Sequence, residues 1–159
     1  METIVSKDQG QKKPLQKENT PVQKEKSCGA VVYRRMAGTI EFLLEHMVQG
    51  HTSIPKGHVE NNETEEETAE REIREETNLE VRLDTGFRHV ITYSPPPNVI
   101  KDVVFFVAEA IPGRMVNQEC EVKSLEWMPY REAAEALTHE SDRETLKRAF
   151  LYVTKEKCS

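Results

Sequence analysis

The sequence predicts an α/β domain in which helices pack on a mixed β-sheet, and three observations lead there. Apolar β-like runs precede and follow a single charged helix, and further helices close the chain, an order suited to a sheet covered by helices. Residues 103–108, Val-Val-Phe-Phe-Val-Ala, form a continuous apolar run, which is the pattern of a strand buried on both faces. Residues 63–77 are dominated by glutamate and enter from a glycine-containing loop, so one helix is specialised for something other than core packing.

The elements can be read in order. Residues 1–26 are rich in Lys, Gln and Glu with few apolar groups, so they are expected to form a flexible tail; an arm laid over a partner subunit is the alternative. One domain is expected over residues 27–159, a length sufficient for a core. Residues 30–33 and 41–44 read as a hairpin turning through Met36, Ala37 and Gly38. After the loop at 54–58 and the acidic helix come short strands at 79–83 and 87–93. A strand at 99–110 follows the Pro95-Pro96-Pro97 turn, and another is expected at 124–128. Pro129 is expected to open a short helix through Ala136, and Ser141 to cap a longer one toward Lys155.

Composition excludes several function classes. A net charge of −6 argues against a partner of extended nucleic acid, which demands a basic face. Cys28, Cys120 and Cys158 are odd in number and widely spaced, which suits reduced thiols in a cytoplasmic protein. No apolar run reaches membrane-spanning length, and the N-terminus has no signal-peptide core, so no membrane partner is expected.

The acidic helix carries the chemistry. At about 100° per residue, Glu72, Glu75 and Glu76 share one sector of the helix surface. Like charges so placed repel, and the arrangement becomes favourable when Mg²⁺ or Mn²⁺, which prefer oxygen ligands, sits among them. Arg71 and Arg74 stand ready to pin the carboxylates. A solvated acidic face is the plain alternative, but only Ala69 and Ile73 are apolar in 63–77, too few for an ordinary amphipathic stripe.

Gly57, Glu63, Arg71, Glu72, Glu75 and Glu76 stand at the spacings of the Nudix box, and the chain resembles the Nudix hydrolases from Ser27 onward. The resemblance implies an α/β/α sandwich and metal-dependent hydrolysis of a nucleoside diphosphate linked to another moiety. It makes Glu72, Glu75, Glu76 and the Lys56 backbone carbonyl metal ligands, with Mg²⁺ or Mn²⁺ as the ion. Glu72 is a ligand or the group that orients and deprotonates water, Arg71 steers Glu72, and Glu63 closes the box through the loop. The chain departs from the pattern at Asn78, where the box has glycine; asparagine tolerates the left-handed backbone such a helix end needs. Glu121, six residues before Trp127, matches a loop glutamate that in similar enzymes contacts metal or acts as base, and its neighbour Glu119 is the rival.

The segment Pro55-Lys56-Gly57-His58-Val59-Glu60 further resembles that of the bis(5′-nucleosyl)-tetraphosphatases, which split diadenosine tetraphosphate into ATP and AMP. On that resemblance Lys56, Gly57 and His58 contact polyphosphate, joined by Tyr93 and Lys101 from either side of the proline turn. The partner is then a nucleotide or dinucleoside polyphosphate, with the protein a monomer or homodimer. Competing readings are a nucleoside-triphosphate pyrophosphatase of the MutT kind, an RNA 5′-pyrophosphohydrolase, and a catalytically silent nucleotide-binding module. The intact glutamates weigh against the last, because a pure binder does not need the repulsive cluster.

Overall fold

The computed structural model describes residues 21–158. The chain runs β1 (Gln23–Met36), β2 (Thr39–Met47), β3 (Thr52–Ser53), β4 (Lys56–His58), α1 (Glu65–Thr77), β5 (Val81–Tyr93), β6 (Val99–Ala110), β7 (Val122–Pro129), α2 (Tyr130–Ala136) and α3 (Glu140–Cys158). All seven strands belong to one sheet with the order β3-β2-β1-β6-β5; β4 pairs with β1, and β7 pairs with β2. Only β1 and β6 run parallel, so the sheet is mixed, as expected.

Helices cover both faces and make an α/β/α sandwich. Successive side chains of a strand point to opposite faces. Val31, Phe42, Leu44, Val103 and Phe105 therefore pack with Leu137, Leu146, Ala149 and Val153 of the C-terminal helical layer. The alternate residues Cys28, Ala30, Val32, Leu43, Val104 and Phe106 pack with Ala69 and Ile73 of α1. Strand β6 lies between β1 and β5, which is why residues 103–108 are apolar without alternation.

Several boundaries differ from expectation. The first strand begins at Gln23 rather than after Ser27, because residues 23–26 pair with residues 99–102 of β6. The rest of the expected tail, residues 1–20, lies outside the described residues. The two short strands at 79–83 and 87–93 are one strand, β5, whose pairing to β6 is interrupted between Asp84 and His89. There the Asp84 carboxylate accepts hydrogen bonds from the Gly86 N–H at 2.9 Å and the Tyr152 hydroxyl at 2.9 Å, tying the irregularity to α3. Ser141 lies inside α3 instead of capping it. The Ala37-Gly38 turn is as expected, with positive φ at both residues (49° and 83°), the twist that suits a tight hairpin.

Cys28 is buried and Cys120 exposed, and neither is in a disulfide. No described helix is long and apolar enough to cross a membrane.

Candidate active site

Local sequence builds α1 securely. Thr64 is its N-cap: the Thr64 side chain accepts from Glu67 N–H at 3.1 Å, and the Glu67 carboxylate accepts from Thr64 N–H at 2.9 Å. This reciprocal box satisfies two amides that a helix start leaves unpaired. Glu65, Glu66 and Glu67 fill the first turn, where the helix dipole favours negative charge. At the far end Asn78 is left-handed (φ 65°), donates its N–H to Arg74 O at 2.8 Å, and sends its side-chain amide to Arg114 O at 2.9 Å. Asparagine thus supplies the left-handed backbone that this helix end needs.

Arg71 organises the carboxylates. Its Nε and Nη2 grip both oxygens of Glu63, at 2.6 and 3.0 Å. Its Nη1 donates to Glu72 Oε2 at 2.8 Å and Glu75 Oε1 at 3.1 Å, and Nη2 also reaches the His58 carbonyl at 2.9 Å. One guanidinium thereby locks the helix to the loop that precedes it, by the charge-assisted bonds that hold geometry best. The Arg71 contact, with Glu60 N–H and Thr68 Oγ1 as further donors, draws the Glu63 carboxyl down to about 2.

The three helix glutamates do not behave alike. Glu75 is half exposed and held by Arg71, while Glu72 is largely covered. Glu76 continues the buried stripe Ala69–Ile73–Glu76 and is only 4% exposed. It therefore sits where an apolar residue would ordinarily pack. Among the described residues no three His, Cys, Asp or Glu side chains form a ready-made metal cage, since Arg71 holds two of the expected ligands.

Gly57 explains the close approach of loop and helix. It pairs with Cys28 in β4, and a Cβ built there would land on the Glu72 carboxylate. Only hydrogen at that position leaves room for Glu72 to rest on the loop backbone.

Sequence reasoning missed Glu45. It lies on β2, is 1% exposed, and its carboxyl is hydrogen-bonded to that of Glu76. Oε1 of Glu45 and Oε1 of Glu76 have no hydrogen-bond partner. Desolvation drives the pKa of both groups upward, Glu45 to about 7 and Glu76 higher still. The detectable signal was one charge in the apolar strand Phe42-Leu43-Leu44-Glu45, on the same face as Leu43. The Lys56 ammonium is close enough to oppose both upward shifts, and Glu72 and Glu121 are close enough to add to that of Glu45. Glu121 itself is exposed in the loop before β7, and Glu119 is exposed without a partner role near the cluster.

These residues fit a divalent cation. Buried carboxylate oxygens without partners are costly when bare, and hard cations are the ligands such oxygens satisfy. A consequence can be measured on the metal-free protein. Carboxyls raised above their ordinary 4.5 hold more protons folded than unfolded, so the pair's contribution to stability is fully present below about 4.5 and is lost as pH rises through the folded values, about 7 for Glu45 and higher for Glu76. Mg²⁺ should therefore raise Tm more at pH 8 than at pH 5.5, as scanning calorimetry would show. An equal rise at both would refute this picture of the pair.

On the opposite face of the sheet, a cavity of about 550 Å³ opens beside Lys56, lined by Tyr93, Ile91, His51, His139 and Asp142 among others. Lys101 pairs directly with Tyr93 across β5 and β6, and its Nζ lies 3.5 Å from His58 Nε2. The fold thus brings Lys101, Tyr93 and His58 together and places Lys56 between this cavity and the buried carboxylates. Tyr93 is 44% exposed and is not a core aromatic.

Comparisons with known proteins agree with this geometry. Residues 24–149 match the NUDIX domain family. The asymmetrical bis(5′-nucleosyl)-tetraphosphatase of Mus musculus is 32% identical over 134 residues, covering 77% of this chain and 90% of that protein. The 8-oxo-(d)GTP phosphatase of Mycolicibacterium smegmatis is 32% identical over 153 residues, 89% of this chain but 47% of that protein. Among solved structures, a Caenorhabditis elegans Ap4A hydrolase binary complex superposes with a TM-score of 0.76 at 26% identity, covering 82% of this chain and 98% of that one. With box, loop and sandwich all in place, the chain belongs to the Nudix family and is a Nudix hydrolase.

Proposed function

We propose that the protein cleaves a dinucleoside tetraphosphate asymmetrically, converting diadenosine tetraphosphate and water to ATP and AMP with Mg²⁺ or Mn²⁺ as cofactor. The observation that carries this reading is the row formed by Lys56, which lines a cavity with Tyr93 and acts on the buried carboxylate pair, and by Lys101, which pairs with Tyr93 and lies 3.5 Å from His58. A row of this kind suits a polyphosphate longer than a triphosphate, with a base beyond it. The similarity to the mouse tetraphosphatase over most of both chains supports the same substrate class.

The residues divide the work as follows. Glu72, Glu75, Glu76, the Lys56 carbonyl and Glu121 would hold the cation. The bound ion neutralises phosphate oxygens and lowers the pKa of water. Glu72, steered by Arg71, accepts the proton of the attacking water, and Glu121 is the second candidate base. Lys56, Gly57 and His58 line the phosphate path, with Lys101 beside His58. Tyr93 offers an aromatic face to a base.

The deciding experiment is product chromatography after incubation with Mg²⁺ and diadenosine tetraphosphate, dNTPs, ADP-ribose or triphosphorylated RNA. ATP plus AMP as the dominant products supports the tetraphosphatase reading. Pyrophosphate release chiefly from dNTPs would replace it with the triphosphate reading, which the similarity to the 8-oxo-(d)GTP phosphatase favours. No turnover with Mg²⁺ or Mn²⁺ would count against the whole proposal. Lys56→Ala should lower kcat/KM for the tetraphosphate by roughly 10–100-fold, the worth of one charged contact of about 1.5–3 kcal/mol. Its effect on triphosphates should be smaller; equal losses across chain lengths would remove Lys56 as a determinant of length.

A further inference from the structure

We infer that Glu45 is a further ligand of the cation site, holding the divalent ion from strand β2 opposite Glu76. The inference rests on the cation reading proposed above and adds a residue from the sheet to a site otherwise built from the box helix and its loops.

Placement is the first support. Glu45 pairs with Ser53 on one side and Leu125 on the other, so its backbone is held in the middle of three strands. Leu43, two residues earlier, packs in the core cluster that contains Ala69 and Ile73 of α1. Strand alternation directs Glu45 to that same face, and the helix stripe Ala69–Ile73–Glu76 directs Glu76 back at the sheet. The two carboxyls meet at the helix–sheet contact, with 1% and 4% of their surfaces exposed.

The second support is unmet bonding capacity. Each carboxyl retains an Oε1 with no partner, although both lie where water has little access. An apolar pair would pack there at no such cost, and two bare carboxylates would repel. A shared proton satisfies one oxygen of each and leaves the other two unmatched. A divalent ion satisfies those oxygens. Glu72 and Glu121 act on Glu45 through their charges as well, so the free oxygen belongs to the cluster and not to a separate pocket.

The test uses the metal-free full chain and Mn²⁺ alone. Bound ion is counted by loss of the aqueous Mn²⁺ electron paramagnetic resonance signal, for wild type, Glu76→Gln, Glu45→Gln and Glu45→Leu. Glu45→Leu supplies an apolar side chain suited to the buried position, so folding does not depend on retaining a polar group. Both Glu45 variants should bind Mn²⁺ at least about tenfold more weakly. At pH 7.5 they should also show a metal-free Tm equal to or above wild type, and a smaller Mn²⁺-induced rise. Wild-type affinity in both Glu45 variants, with Glu76→Gln weakened, would overturn the inference and leave the cation site standing. A lowered metal-free Tm in both variants would mark Glu45 as scaffold and overturn it too. Failure of the wild type itself to bind Mn²⁺ at millimolar concentration would defeat the cation reading and this inference together.

Discussion

Replacing Glu72 by glutamine should lower kcat by about 10²–10⁴-fold, the range a positioned general base supplies, while leaving the fold intact. Glutamine keeps the shape and one oxygen for Arg71 Nη1, which now bonds Glu72 Oε2 at 2.8 Å, but it cannot take a proton from water. Glu76→Gln should produce a loss of similar size by a different route, through the cation rather than the proton. The two are separable. Excess Mn²⁺ should restore Glu76→Gln more fully than Glu72→Gln, which loses the base as well as a cation ligand. Because Glu76 is buried with an unpartnered oxygen, Glu76→Gln should also raise the Tm of the metal-free protein. Near-normal turnover in both variants would sink α1 as the catalytic face.

The second large effect is expected at Gly57. Alanine there would place a methyl group on the Glu72 carboxylate. The obstructed atoms are the end of a flexible side chain, so the cheapest response is for Glu72 to swing away while the fold survives. A catalytic group displaced by about 1 Å can cost about 100-fold in rate. Gly57→Ala should therefore retain its melting behaviour and lose about two orders of magnitude in kcat, with KM for the tetraphosphate changed far less. Circular dichroism together with steady-state kinetics would check this. Wild-type kcat in a folded Gly57→Ala protein would show that Glu72 does not need its present place.

These effects also show what was legible before the fold was seen. The acidic helix and its left-handed end at Asn78 are products of local spacing and backbone preference, and they appear where expected, whereas the Thr64 cap was not anticipated. The β-hairpin and the buried strand β6 were readable for the same reason, since periodicity and turn chemistry act over a few residues. The union of the two short strands into β5 was not. The residues between them look like a loop, and pairing with β6 on either side of them, together with the Asp84–Tyr152 contact, holds the two halves as one strand.

The box motif determined the family and the identity of Glu63, Arg71, Glu72, Glu75 and Glu76 as its acidic and basic members, because a helix brings neighbours at three and four residues onto one surface. It anticipated that Arg71 would hold its neighbouring carboxylates but not that Glu76 would turn inward. That division depends on how deeply α1 sinks onto the sheet. Glu45 was invisible for a related reason: its partner is 31 residues away, and the two meet only when β2 and α1 pack face to face. The grouping of Lys56, His58, Lys101 and Tyr93 likewise comes from strand register, which joins β4 to β1, β1 to β6 and β6 to β5. Spacing along the chain decides what lies on one helix face. The meeting of distant carboxylates and cations is decided by tertiary packing, because register and burial are properties of the whole sheet.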